Sequence, residues 1–280
     1  MLVKVGLERR LKGGFTSMNE KKYDTLVVEK KDGVAWVTLN IPQRLNAITL
    51  KMIEELTAAI NEIEEDKDVK CVVLKGAGDR AFSVGADVTI FSAATPTAAT
   101  AISIKGQELT RKIELSSKPF IAAINGFCLG GGLEIALACD FRIATENSEF
   151  GSPEIRLGII PGWGATQRLP RVVGLAKAKE LVMFGERISA QEALRIGLID
   201  KVVSKDKFEE EVEALVKKLV EGPPIALKYA KYTLNFGSQA PLDVGLKVEA
   251  EALGILASTN DAAEGISAFF EKRKPEFKGE

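Results

Sequence analysis

Short apolar runs separated by polar turns open the recognisable part of the chain. Residues 25–29 and 34–39 flank Lys31-Asp32-Gly33, and two such runs about a turn predict paired strands. Residues 49–65 bring Ile53, Leu56, Ile60 and Ile63 to one side at helical spacing, predicting an amphipathic helix. Residues 71–74 and 120–124 are continuous apolar runs, predicted to be buried strands. Between them, residues 97–115 follow Pro96 and are predicted to be helical. A short apolar helix is expected over 133–139 and a strand over 141–144.

Beyond this point the pattern changes. Ser189-Ala190-Gln191-Glu192 is a capping box, so a helix should start there and end near Gly197. Residues 208–220, 225–236, 242–256 and 261–272 also read as helices. Strands alternating with helices, then helices alone, predict an α/β core with parallel crossovers and a helical C-terminal part. The expected division is a disordered leader over 1–17, an α/β core over 18–205 and a helical region over 206–280. The leader carries Lys4, Arg9, Arg10 and Lys12 against Glu8 and lacks the apolar centre of a secretory signal. A cytoplasmic location is therefore expected, with an organellar matrix as second choice.

Composition narrows the chemistry. The formal charge of −1 offers no basic field for nucleic acid, and no apolar run reaches the roughly 20 residues that span a bilayer. The three cysteines, Cys71, Cys128 and Cys139, are widely spaced in apolar runs and read as buried free thiols. The chain has no histidine, which removes Ser-His-Asp and Cys-His nucleophile activation and the commonest metal ligand. Acid–base work must fall to carboxylates, Lys, Tyr or Cys.

Three segments could carry it. Gly130-Gly131-Gly132 precedes a short helix, whose free N–H groups and dipole suit a developing oxyanion; a close-packing turn is the plain alternative. Glu134 follows among Leu133, Ile135, Ala136 and Leu137, either solvated at an edge or buried with a raised pKa. Residues 149–164, dense in glycine and proline, predict a long shaped loop carrying Glu154, with Glu149 as competitor and Arg156 as a possible ion-pair partner for either. Residues 80–87 read as irregular backbone with donors near Ala86. Gly76-Ala77-Gly78-Asp79-Arg80-Ala81 fits a dinucleotide fingerprint but is set aside, because no helical pattern follows it.

Asn125 through Glu134 resembles the signature of the crotonase (enoyl-CoA hydratase/isomerase) superfamily, and Phe150-Gly151-Ser152-Pro153-Glu154 through Gln167-Arg168-Leu169 resembles its second signature. Asn40-Ile41-Pro42 with Asn46-Ala47, Phe82 through Asp87, and Ser267-Ala268-Phe269 to Lys274 resemble further blocks, in order over residues 23–278. The resemblance implies an α/β fold: a spiral of β-β-α units with a helical C-terminal trimerisation region, forming a homo-oligomer, trimer or dimer of trimers. It also implies an acyl-CoA substrate of the kind handled in fatty acid β-oxidation.

Carried over residue by residue, the oxyanion-hole N–H groups fall at Ala86 and Gly131, and the catalytic acids at Glu134 and Glu154. Two glutamates imply reversible syn hydration of a 2-enoyl-CoA; a Δ3-Δ2-enoyl-CoA isomerase or another acyl-CoA enzyme of the family is the alternative. A non-catalytic binding protein that keeps the fold is the third reading. No cofactor and no metal are expected, and neither a membrane nor a nucleic-acid partner. Arg44, Ala47, Asp87, Gly162, Trp163, Phe269 and Lys272 are implied substrate or CoA contacts, the last two from a neighbouring subunit.

Some positions depart from the family pattern. Ser83-Val84 replaces two small alanines, Thr89 stands where many members have lysine, and Ala165 replaces a glycine. Trp163 lies where it would narrow the acyl pocket, implying a short-chain preference.

Overall fold

The computed structural model describes residues 23–92 and 94–280; the leader expected over 1–17 lies outside the described residues. Strands β1 (Leu26–Lys31) and β2 (Val34–Leu39) pair antiparallel, with Lys31 opposite Val34. Asp32 and Gly33 turn the hairpin at φ 51° and 79°, left-handed angles whose twist matches that of the strands. Helix α1 (Leu50–Glu65) is capped by Thr49, whose hydroxyl accepts the Met52 N–H, and it buries Met52, Ile53, Leu56, Ala59, Ile60 and Ile63. The Lys118 ammonium closes its other end on the Ile63 and Asp66 carbonyls.

The next elements alternate between two sheets. After β3 (Cys71–Gly76) come β4 (Ala81–Ser83) and α2 (Pro96–Leu115). The same step recurs with β5 (Phe120–Ile124), β6 (Phe127–Leu129) and α3 (Gly131–Ala138), then with β7 (Phe141–Thr145) and β8 (Glu149–Gly151). One sheet has the order β1-β2-β3-β5-β7 and the other β4-β6-β8, so each β-β-α turn adds one parallel strand to both. This is the spiral expected from the resemblance. Then follow α4 (Ala165–Val173), α5 (Leu175–Phe184), β9 (Ile188–Ser189), α6 (Ala190–Arg195) and β10 (Lys201–Val203). β9 closes the smaller sheet and β10 the larger. Ser189 accepts the Glu192 N–H as the capping box requires, but the Glu192 carboxylate turns outward to Arg195.

The centre of the large sheet is buried on both faces, which is why β3 and β5 read as unbroken apolar runs. Val72, Leu74, Ala122 and Ile124 face the α1 side, whereas Cys71, Val73, Ile121 and Ala123 face the opposite way. The opposite face is covered by Val212, Val216 and Leu219 of α7 (Phe208–Val220). Helices α8 (Pro224–Gly237), α9 (Leu242–Leu256) and α10 (Asn260–Glu271) complete the chain. Lys231 pins α8 to the core, with Nζ 2.8 Å from Asp140, 2.9 Å from the Ile113 carbonyl and 3.0 Å from that of Lys118.

Candidate active site

Glu134 is set in place by glycine. Gly130, at φ 50° and ψ −127°, turns the chain into α3. A methyl group at Gly131 would sit 2.4 Å from the Trp163 ring, and one at Gly132 2.7 Å from the Ser83 side chain. Only glycine lets the start of α3 lie against both neighbours. Glu134 then enters a fully apolar helix and is 2% exposed, so the buried alternative holds and the solvated edge does not. Its Oε1 accepts the backbone N–H groups of Trp163 at 2.8 Å and Ala165 at 2.9 Å. Burial pushes its pKa up; those two donors and the nearby Arg168 pull it part of the way back.

The donors belong to a turn that is itself tied down. The Gly162 carbonyl accepts from Ser103 Oγ at 2.6 Å and Gln107 Nε2 at 2.9 Å, both on α2. The Trp163 carbonyl accepts from Thr110 Oγ1 at 2.9 Å and Arg168 Nη1 at 3.2 Å. The Trp163 indole is wedged between Gly131 and Gly106 of α2, where a methyl group would meet the ring at 2.1 Å.

Glu154 approaches from the other side. It sits in the 3-10 turn Pro153–Leu157, which follows β8 and ends at Gly158 with φ 74°. Its Oε1 lies 3.0 Å from the position of a Cβ on Gly130, while its buried Oε2 has no hydrogen-bond partner among the described residues. Burial, then the charge of Glu134, raises its pKa from 4.5 to about 7. Glu149, the competing acid, instead pairs with Arg187 at 3.1 Å.

Opposite α3, Asn46 adopts the left-handed φ of 55° that asparagine tolerates. It is fully buried; its Nδ2 donates to the carbonyls of Ala77 at 3.0 Å and Ala81 at 2.9 Å. Ser83 Oγ donates to the Asn46 carbonyl at 2.7 Å and accepts the Gly85 N–H at 3.1 Å. Ile48 makes a parallel bridge with Ala86, through the Gly85 carbonyl and the Asp87 N–H, so the N–H of Ala86 points away from that bridge. A methyl group on Gly85 would lie 3.0 Å from the Gly131 nitrogen, which brings the Ala86 loop against the start of α3. Gly131, first in its helix, also has an N–H with no partner inside the helix.

One cleft of about 2000 Å³ is lined by Ala86, Gly131, Glu134, Glu154, Gly162 and Trp163. Arg44, Ala47, Asp87, Phe269 and Lys272 do not line it. Arg44 instead pairs with Asp87 at 2.6 Å; burial opposes the Asp87 charge, but Thr89 and Arg44 hold its carboxyl below the usual range. Phe269 is 78% exposed on α10, and Lys272 ends that helix at φ 56°. The set-aside dinucleotide fingerprint runs from β3 into β4, with no helix at Ala81. Among the described residues no cluster of three or more His, Cys, Asp or Glu could hold a metal ion, and no helix is long and apolar enough to cross a membrane. The reading from sequence missed Ser103, Thr110 and Arg168. Only Arg168 had a signal, its place in the second signature, and that gave it no role.

A buried and a half-buried carboxylate beside two outward-facing backbone N–H groups suit acid–base chemistry on a substrate that develops negative charge. The chain belongs to the enoyl-CoA hydratase/isomerase family, whose profile matches residues 29–280. It is 44% identical over 253 residues to the short-chain-enoyl-CoA hydratase of Clostridium acetobutylicum, covering 90% of this chain and 97% of that one. It is 40% identical over 255 residues to the crotonyl-CoA hydratase of Syntrophomonas wolfei, covering 91% and 98%. The crystal structure of enoyl-CoA hydratase from Bacillus anthracis superposes with a TM-score of 0.88 at 40% identity, covering 91% of this chain and all of that one.

Proposed function

We propose that this chain reversibly hydrates short 2-enoyl-CoA thioesters to 3-hydroxyacyl-CoA, with Glu134 and Glu154 as the acid–base pair. The observation that carries this reading is the convergence of both carboxylates on one cleft beside the Ala86 and Gly131 amides. The thioester oxygen accepts both N–H groups. Each such donor is worth roughly 2.7–4 kcal/mol as charge builds on that oxygen. Water adds at C3 while Glu134 takes one of its protons, and electron density moves through C2 to the thioester oxygen. Glu154 then gives its proton to C2 as the enolate collapses, and solvent returns the proton from Glu134 to Glu154. Water and two carboxylates suffice for the step, without metal or redox cofactor.

The division of labour follows from hydrogen bonding. Oε1 of Glu134 has two backbone donors that favour its anion, whereas Oε2 of Glu154 has no partner among the described residues. The names of the relatives and the indole between Gly106 and Gly131 support a short acyl group. The exposed side chains of Leu234, Leu242, Leu253 and Phe269 support assembly through the C-terminal helices, as a trimer or dimer of trimers. Light scattering on the eluting species measures that state, and a monomer would contradict it.

Crotonyl-CoA turnover, followed by loss of the enoyl absorbance, tests the activity. Rapid loss with the parent and collapse in Glu134→Gln supports the hydratase. Isomerisation of a 3-enoyl-CoA that survives Glu134→Gln, without hydration by the parent, would replace it with the isomerase.

A further inference from the structure

We propose that Arg168 is a positioning residue that clamps the turn at 162–165 onto Glu134 and so keeps that carboxylate aimed into the cleft. The inference rests on the proposed role of Glu134 and adds a residue to it. Arg168 lies on α4, one turn beyond Gly164, and its side chain folds back across that glycine. A methyl group at Gly164 would lie 2.2 Å from Arg168 Nη1, and the backbone there stands at φ 121°, so both the angle and the arginine call for glycine. Nη1 donates to the Trp163 carbonyl and to Thr110 Oγ1, each at 3.2 Å, and Nη2 donates to Glu114 at 2.8 Å. One guanidinium therefore joins α2 to the peptide unit between Trp163 and Gly164, and the next N–H, that of Ala165, is bound to Glu134. Its Nε is buried without a partner among the described residues, so the group is held through its two terminal nitrogens alone. A lysine can supply the charge but not this planar bridge.

The charges around Glu134 point the same way. Glu154, from the 3-10 turn, opposes its ionisation. From α2, Glu114 would do so too, but it pairs with Arg168 at 2.8 Å and Arg111 at 3.2 Å. Among the strands packed on α3, β4 brings no ionisable side chain and β6 only the Cys128 thiol. Arg142 bonds the carbonyls of Ala136 and Cys139 at the far end of the helix, and Lys112 and Arg171 line the outer cleft. From α4, Arg168 holds the Glu134 carboxyl down against the upward push of burial.

Arg168→Met and Arg168→Lys, compared with the parent and Glu134→Gln, test this through kcat, KM and the pH profile of crotonyl-CoA hydration. In Arg168→Met, kcat should fall roughly 10²-fold with KM nearly unchanged, the size of effect that slight misplacement gives. The acid limb of the profile should move up by about one pH unit, as when a carboxylate loses a nearby cation. Arg168→Lys should keep the limb near that of the parent and lose less rate. A folded Arg168→Met with parental kcat overturns the proposal, and so does a fall in kcat with the limb unmoved, which is a structural role only. Should that variant not fold, Arg168→Lys decides: a lower kcat at parental KM supports the clamp, and parental kcat removes it. No hydration by the parent, or full hydration by Glu134→Gln, would instead overturn the function proposed above.

Discussion

The two walls of the cleft present the same side chain in opposite circumstances. On the α3 wall, Glu134 is buried but solvated by the protein: two N–H groups reach one oxygen, and the turn supplying them is tied by Ser103, Gln107, Thr110 and Arg168. On the wall formed by Pro153–Leu157, Glu154 is half-buried, its buried Oε2 without a partner among the described residues and beside a like charge. Burial alone would raise both carboxyls. What separates them is a pair of donors from a tethered turn on one side and only the Glu154 backbone N–H on the other. A pair whose surroundings push the two groups apart can hold one proton and one charge near neutral pH, which is what adding water across a double bond asks of it.

The largest effects should come from neutralising either wall. Glu134→Gln and Glu154→Gln should each lower crotonyl-CoA kcat by roughly 10²–10⁴-fold. Full activity in one of them would leave a single catalytic acid and break the comparison. A smaller but more telling contrast lies in stability. The folded pKa of Glu154 is raised from 4.5 to about 7, so the native state binds more protons than the unfolded chain between those values, and stability is lost as pH rises through them. At pH 8 that loss is up to about 3 kcal/mol, which Glu154→Gln removes. The variant should therefore melt above the parent at pH 8 and together with it at pH 4. Parallel melting at both values would mean that Glu154 is better solvated than its burial implies.

How far each wall could be read from sequence follows from how local it is. The hairpin at Asp32-Gly33, the stripe of α1 and the glycine entry to α3 are written in contiguous residues, and so they were legible. The strands β4, β6 and β8 have three residues each, too short to show a period, and β9 has two. Helix α4 hides behind an internal Pro170, and α5 between glycines at φ 78° and 62°. Glu134 stood out as a carboxylate among aliphatic residues, and the start of α3 as glycine before a helix. The pairing of Ala86 with Gly131, and of Glu134 with Glu154, came from the family resemblance. The donors that distinguish the two walls come from α2 and from the 162–165 turn, about 30 residues away on either side. No local pattern carries that information.

Trp163 sharpens the comparison next, because it serves the Glu134 wall twice: its N–H binds the carboxylate and its ring fills the space between Gly131 and Gly106. Trp163→Ala keeps the backbone donor and empties the space. The ratio of kcat/KM for an eight-carbon over a four-carbon enoyl-CoA should rise about 10-fold, the lower end of what a methylene-sized change in a pocket gives. An unchanged ratio, with four-carbon activity retained, would mean that chain length is set elsewhere.

The smallest effect we expect is at Ser103, and it measures how redundant the tethering of the α3 wall is. Ser103 Oγ donates to the Gly162 carbonyl at 2.6 Å, but Gln107 Nε2 reaches the same oxygen at 2.9 Å. Ser103→Ala thus removes one of two donors without leaving the acceptor bare, and the cost of an unsatisfied buried group does not arise. The expected loss is about 0.5–1 kcal/mol of stability, with kcat within about threefold of the parent. Adding Gln107→Ala strips the carbonyl of both, so the double variant should lose more than the sum of the two single losses. Additive behaviour would show that the turn is held from the Trp163 carbonyl alone, through Thr110 and Arg168, and that the Gly162 side of the wall is free to move without disturbing Glu134.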